Sequence, residues 1–194
     1  MRRYRSGLFL GVDACKGGWF TLSLDQSGQW EAAIFQSFEC LWKDSWVAHL
    51  ILVDMPIGLP ETAEERQCDI EARKIIGKKR APSVFRLPVR EAIYARSYRQ
   101  ACRINRHRTA KAISRQMWNI IPRLKELDTF LQSNPQARKV VRETHPEVCF
   151  AILNGGRLQH PKKTSEGACE RKLILHRFLP EIDEIVENCL ARFS

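Results

Sequence analysis

No uncharged apolar run in this 194-residue chain approaches the roughly 18 residues that cross a bilayer. The most apolar stretches are cut by Asp13, by Asp54 or by clusters of arginine, which excludes a membrane-spanning helix. Behind the basic start Met1-Arg2-Arg3-Tyr4-Arg5-Ser6, the apolar stretch Gly7 to Val12 is too short for a secretory leader and runs into Asp13. A mature cytoplasmic protein is expected. Cysteine pairing motifs are missing as well. Cys15, Cys40, Cys68, Cys102, Cys149, Cys169 and Cys189 lie far apart, with no Cys-x-x-Cys and no Cys/His group at zinc spacing, which argues against a disulfide framework or a zinc knuckle. Reduced thiols serving as small core residues fit this odd, scattered set. With only 10 Gly and 9 Pro, and 44% hydrophobic residues, the chain is neither collagen-like nor disordered. At roughly 150 residues per domain, a single domain spanning 1–194 is expected.

Acidic residues are scarce in one place. From Glu61 to Arg138 there are 18 Lys/Arg against 8 Asp/Glu, whereas the rest of the chain holds 14 of each, so the whole net charge of +10 sits in this segment. Lys78-Lys79-Arg80, Arg86, Arg90, Arg96, Arg99, Arg103, Arg106, Arg108, Lys111 and Arg115 follow one another with few acids between them. An arginine-rich excess of this kind suits a polyanion, either nucleic acid or a phosphorylated ligand, since the guanidinium fork matches phosphate. A solvated helical face is the plainer alternative.

Periodicity gives the elements. Gly7–Asp13 is an apolar run of strand length followed by a glycine turn, 19–25 and 30–35 alternate as strands, and the three predict an antiparallel meander. A short helix over 41–48 and a strand over 49–55 follow, broken by Pro56-Ile57-Gly58-Leu59-Pro60. Thr62 with Glu65 reads as a capping box for a helix over 63–76, and further helices are expected over 89–104 and over 112–131, the last kinked or split at Pro122. Thus 61–138 is a basic helical insert. Lys139–Thr144 returns to strand pattern, and helices over 147–153, 166–178 and 181–192 complete the chain.

Asp13, Asp54 and Glu143 occupy the same topological place, at the C-terminal end of an apolar strand just before a break. If those strands lie parallel and side by side, the three carboxylates emerge together at one sheet edge. Clustered carboxylates repel, and a hard divalent cation with oxygen ligands relieves that repulsion, so Mg²⁺ or Mn²⁺ is the expected cofactor. Asp54, between Val53 and Met55, would cost several kcal/mol to bury ionised without a partner. Caps and surface ion pairs are the alternatives for each acid taken alone.

Six spaced blocks carry a resemblance: Gly11-Val12-Asp13-Ala14-Cys15-Lys16-Gly17-Gly18-Trp19, Val53-Asp54-Met55-Pro56-Ile57-Gly58-Leu59, Arg66-x-x-Asp69-x-x-Ala72-Arg73, Ser114-Arg115-Gln116, Glu143-Thr144-His145-Pro146-Glu147-Val148-x-Phe150 and Lys162-Lys163-Thr164-x-x-Gly167-x-x-x-Arg171. In this order they resemble the family of predicted nucleases with a ribonuclease H-like fold, number four-two-nine among the domains of unknown function. The resemblance implies an α/β fold with a five-stranded mixed sheet ordered 3-2-1-4-5 and the helical insert between strands four and five. It implies a metal-binding role for Asp13, Asp54 and Glu143, with His145 and Glu147 in the same block. Family members commonly carry a later acidic Asp-Asp-x-x-Asp-Ala block, whereas this chain has Asp183, Glu184 and Glu187 in a different pattern, so a last ligand is expected to be missing.

The expected activity is hydrolysis of a phosphodiester in DNA, RNA or a hybrid, with two cations held by Asp13, Asp54 and Glu143. His145 would shuttle a proton and Glu147 would act as a further ligand or base. Arg66, Arg73, Lys78, Lys79, Arg80, Lys162 and Lys163 would hold phosphates. Lys16 belongs to Asp13-x-x-Lys16-Gly17-Gly18, which is similar to the first phosphate hairpin of actin-like ATPases. A nucleotide-binding enzyme of that fold, or a non-catalytic binder of nucleic acid or another phosphorylated ligand, are the alternatives.

Overall fold

Strand β1 (Phe9–Cys15) buries Leu10 and Val12 and leaves Phe9, Gly11 and Asp13 exposed, the alternation of a strand with one face on a core. It turns through Lys16 and Gly17 into β2 (Gly18–Leu24), which pairs antiparallel with β1 and with β3 (Trp30–Phe35). The turn demands glycine. Gly18 has φ +137°, and a Cβ there would lie 2.0 Å from the carbonyl oxygen of Phe35. On the other side of β1, β4 (Leu50–Val53) runs parallel, and β5 (Val141–Glu143) runs parallel to β4. The mixed sheet is ordered β3-β2-β1-β4-β5, the order the resemblance implies, with the helical insert between β4 and β5.

The structure, a computed structural model, describes residues 7–193; the basic start of the chain lies outside them. Among the described residues, 7–70 and 85–144 form one compact unit, and 71–84 with 145–193 form a second. The first holds the sheet, α1 (Phe38–Ser45), α3 (Arg90–Ile93), α4 (Tyr98–Thr109), α5 (Arg115–Ser133) and α6 (Ala137–Val140). The chain leaves it within α2 (Gln67–Ile76). The second holds α7 (Pro146–Leu153), α8 (Ser165–His176) and α9 (Ile182–Phe193), and buries Ala151, Leu158, Ile174, Ile182 and Ile185. No helix among the described residues is long and apolar enough to cross a membrane.

Several boundaries differ from expectation, α1 among them, which runs from Phe38 to Ser45 where 41–48 is expected because Ser37 Oγ accepts from the Cys40 N–H and starts it early. Thr62 does not cap a helix: its Oγ1 accepts from the Glu64 N–H two residues on, a local turn, and α2 begins only at Gln67. The helix expected over 89–104 is two, because Ser97 Oγ accepts from the Gln100 N–H and starts α4 afresh. Of the two outcomes expected at Pro122, a kink or a split, the split does not occur: α5 runs through it from Arg115 to Ser133. Lys139 and Val140 finish α6, which leaves β5 only three residues.

Trp19, Phe38, Leu41, Ile51, Val53, Ile93, Leu124 and Leu127 are fully buried in the core of the first unit. The Trp19 ring meets Phe38 edge-on at 5.2 Å between centroids. Its Nε1–H cannot be buried unpaired, and it donates to Glu126 Oε1 of α5 at 2.9 Å. The same oxygen accepts from the Phe38 N–H at 2.7 Å, and Arg123 donates to Oε2 at 2.8 Å. One carboxylate thereby ties β2, the start of α1 and α5 together. We expect Glu126→Ala to lose about 2–4 kcal/mol in urea unfolding by leaving two N–H donors unsatisfied, and Glu126→Gln, which keeps an oxygen there, to lose less than about 1 kcal/mol.

Candidate functional site

The central pair of parallel strands positions the two aspartates. Val12 of β1 is in register with Val53 of β4, and the Asp54 N–H donates to the Val12 carbonyl at 2.9 Å, so Asp13 and Asp54 follow at the next level of the ladder. Adjacent strands lie about 4.8 Å apart, which brings the two backbones close enough for their side chains to share a ligand. Val12 and Val53 are buried, whereas Asp13 is exposed and Asp54 half-buried, as the pleat's alternation requires. Asp13 and Asp54 therefore share the sheet face opposite the core. Asp13 and Asp54 each have an interaction partner within the fold.

Glu143 is arranged differently. Its register partner is Val53, one level short of Asp13 and Asp54, and alternation assigns it to the valine face. Both of its oxygens are engaged by nitrogen donors: Oε2 accepts from the Ile57 N–H at 2.8 Å and from Arg66 Nη1 at 2.7 Å, and Oε1 accepts from Arg66 Nη2 at 2.8 Å. Arg66 also donates to the two oxygens of Asp69 at 3.0 and 2.6 Å and to the Ile57 carbonyl at 2.7 Å. Burial works against the Arg66 charge, but the hydrogen bonds to Glu143 and Asp69 outweigh it and hold the guanidinium above its ordinary range. The expected convergence of three ligating carboxylates is thus a pair, Asp13 and Asp54, plus a separate ion-paired glutamate. Among the described residues, no group of three or more His, Cys, Asp or Glu side chains is placed to hold one metal ion.

His145 and Glu147 belong to the second unit. His145 occupies the N-cap position of α7 without a side-chain capping bond; its Nε2 lies 3.4 Å from the Ser83 carbonyl oxygen and its Nδ1 is buried without a hydrogen-bond partner. Glu147 is buried, and both of its oxygens accept from Arg171, at 2.6 and 2.8 Å from Nη2, while Arg80 Nη1 donates to Oε2 at 3.1 Å. Arg80 and Arg171 also donate to the His160 carbonyl, which ties the loop before α8 to α7.

The other expected cations divide the same way. Arg73 donates to the Val84 carbonyl at 3.1 Å. Lys16, Lys78, Lys79, Lys162 and Lys163 are exposed, Lys16 in the β1–β2 turn and the rest in loops of the second unit. Sequence reasoning missed that Asp69 and Arg171 serve as partners of named residues; both stand in the quoted blocks, Asp69 only three positions from Arg66, but nothing in a one-dimensional pattern pairs Arg171 with Glu147, 24 positions away. A cleft of about 400 Å³ in the first unit, bordered by Thr62, Arg66, Arg86, Lys111 and Ser114, was also illegible.

The chain is thus a mixed α/β sheet in which Asp13 and Asp54 follow the last paired residues, Val12 and Val53, of the two central parallel strands. Residues 11–192 match the model of the family described as protein of unknown function (DUF429), and the chain belongs to that family. No curated protein and no solved structure matches it.

The Asp69 side chain is only 5% exposed, so removing its partner strands a buried charge. Arg66→Ala is expected to cost about 3–5 kcal/mol in chemical denaturation, and Arg66→Ala/Asp69→Asn to recover part of that loss. Equal stability of the single variant and the wild type would show that the ion pairs carry no weight.

Proposed function

We propose that the protein is a divalent-metal-dependent phosphodiesterase acting on nucleic acid, with Asp13 and Asp54 as the metal-binding residues. The observation that supports this reading is the register of β1 and β4, which sets two carboxylates side by side on the solvent face at the C-terminal edge of parallel strands. Two carboxylates fit Mg²⁺ or Mn²⁺, which take one or two protein oxygens and complete their shell with water and substrate phosphate. A bound cation of this kind supplies Lewis-acid polarisation of a phosphodiester and acidifies a coordinated water.

In this reading Asp13 and Asp54 bind and orient through their oxygens. Glu143 and Arg66 act by position: Glu143 fixes the Ile57 N–H, and Arg66 the Ile57 carbonyl, in the turn three residues after Asp54, which holds that turn in place. Two-ion catalysis with Glu143 as third ligand, as the sequence suggests, would need Glu143 to exchange its Arg66 partner for metal. We keep one cation site. Glu147, held by Arg80 and Arg171, is given a structural role. A cytoplasmic location belongs to this reading, supported by cysteine spacing that carries no disulfide framework.

The test uses labelled single strands, duplexes and RNA–DNA hybrids incubated with Mn²⁺ and with EDTA. Cleavage should require Mn²⁺, and Asp13→Asn and Asp54→Asn should each lose more than the 10–100-fold typical of a supporting group. Glu143→Gln should stay within that 10–100-fold range and leave the Mn²⁺ concentration for half-maximal rate unchanged. Cleavage that survives Asp13→Asn would sink the assignment. The engagement of Glu143 by Arg66 favours one second reading, a nucleic-acid binder without catalysis, which would show binding but no Mn²⁺-dependent cleavage.

A further inference from the structure

The arginines of the first unit fall into two populations. Arg66 and Arg90 are engaged by carboxylates, Arg66 with Asp69 and Glu143, Arg90 with Glu61 and Asp128. Arg99, Arg103 and Arg106 of α4 are different. The helix buries Ala101, Cys102 and Asn105 and exposes Arg99, Arg103 and Arg106. At about 100° per residue the three guanidinium groups lie in a stripe about 60° wide, and at 1.5 Å per residue Arg99 and Arg106 are about 10 Å apart along the axis. Exposed Arg96 precedes the helix, and Arg115 stacks on the Tyr98 ring in its first turn, 3.9 Å from the centroid. The sequence holds no carboxylate between Glu91 and Glu126, and Glu91 is taken by Arg108. Among the described residues no carboxylate pairs with Arg96, Arg99, Arg103 or Arg106.

Like charges three and four residues apart on a helix repel and destabilise it, so the stripe does not serve folding. A polyanion relieves the repulsion. The exposed face of α4 is Arg99, Gln100, Arg103, Arg106, His107 and Arg108, without an apolar side chain to insert into lipid as a membrane-surface helix would. Arginine in place of lysine suits the planar, two-pronged contact with phosphate oxygens.

We infer that Arg99, Arg103 and Arg106, flanked by Arg96 and Arg115, form a sequence-independent docking strip for the phosphodiester backbone of nucleic acid. The inference rests on the proposed function for the class of polyanion, and it places backbone binding on α4, where Arg66, Arg73 and Arg80 are occupied by internal bonds.

The experiment measures binding of the full chain to labelled duplex and single-stranded DNA by fluorescence anisotropy in EDTA, from about 50 to 200 mM salt. Each phosphate contact contributes about 0.9 to the slope of log K against log salt on duplex and about 0.7 on a single strand. Arg99→Gln/Arg103→Gln/Arg106→Gln should therefore flatten the slope by about 2.7 on duplex or about 2.1 on a single strand, and Arg103→Gln alone by about a third of that. The charge-matched control Arg138→Gln/Lys139→Gln/Arg192→Gln should leave the slope as in the wild type. An unchanged slope in the triple variant, an equal flattening in the control, or wild-type binding to anionic phospholipid vesicles with none to DNA would each overturn the strip. Loss of cleavage in Asp13→Asn with an unchanged slope in the triple variant would remove the strip and keep the phosphodiesterase. A flattened slope in a protein that never cleaves would do the reverse.

Discussion

One half-buried guanidinium organises the strand ends from which the candidate site is built. Arg66 binds Asp69 in the first turn of α2, the carbonyl of Ile57 in the turn after β4 and, 77 residues on, Glu143 at the end of β5, so three segments are pinned at a single group. Guanidinium suits this place because its planar fork serves several acceptors at once and it stays charged when desolvated. β5 has only three residues, and its ladder to β4 is too short to fix the neighbouring turn alone. The ion-pair cluster completes what the sheet leaves undone.

The second unit repeats the device with the signs exchanged. There a buried carboxylate, Glu147, gathers two guanidinium groups, Arg80 and Arg171, which reach on to the His160 carbonyl and so bind α7 to the loop ahead of α8. In a protein of net charge +10 the acids are the scarce partner, and each buried one serves more than one cation or N–H. Glu126, between Trp19, Phe38 and Arg123, follows the same rule. On the α4 surface Arg99, Arg103 and Arg106 stand without such a partner.

Much of the architecture was legible in the pattern of residues. Apolar runs ending in acids marked β1 and β4, alternation marked β2 and β3, and the quoted blocks implied the sheet order that the strand pairing has. Helix boundaries failed where local polar chemistry competed. Thr62 closes a turn on its neighbour instead of a helix, and Ser97 begins a new helix in the middle of what periodicity reads as one. The placement of the candidate acids was half legible. That Asp13 and Asp54 lie at one level follows from the strand order, but a one-level offset separates Glu143 from them, and register offsets of one residue do not show in a sequence.

The spacing of Asp13 and Asp54 is a property of the peptide ladder and of no particular side chain. Exchanging Val12 or Val53 for another aliphatic residue changes the packing beneath the acids but not the peptide groups that space them, because strand separation is set by N–H and C=O geometry.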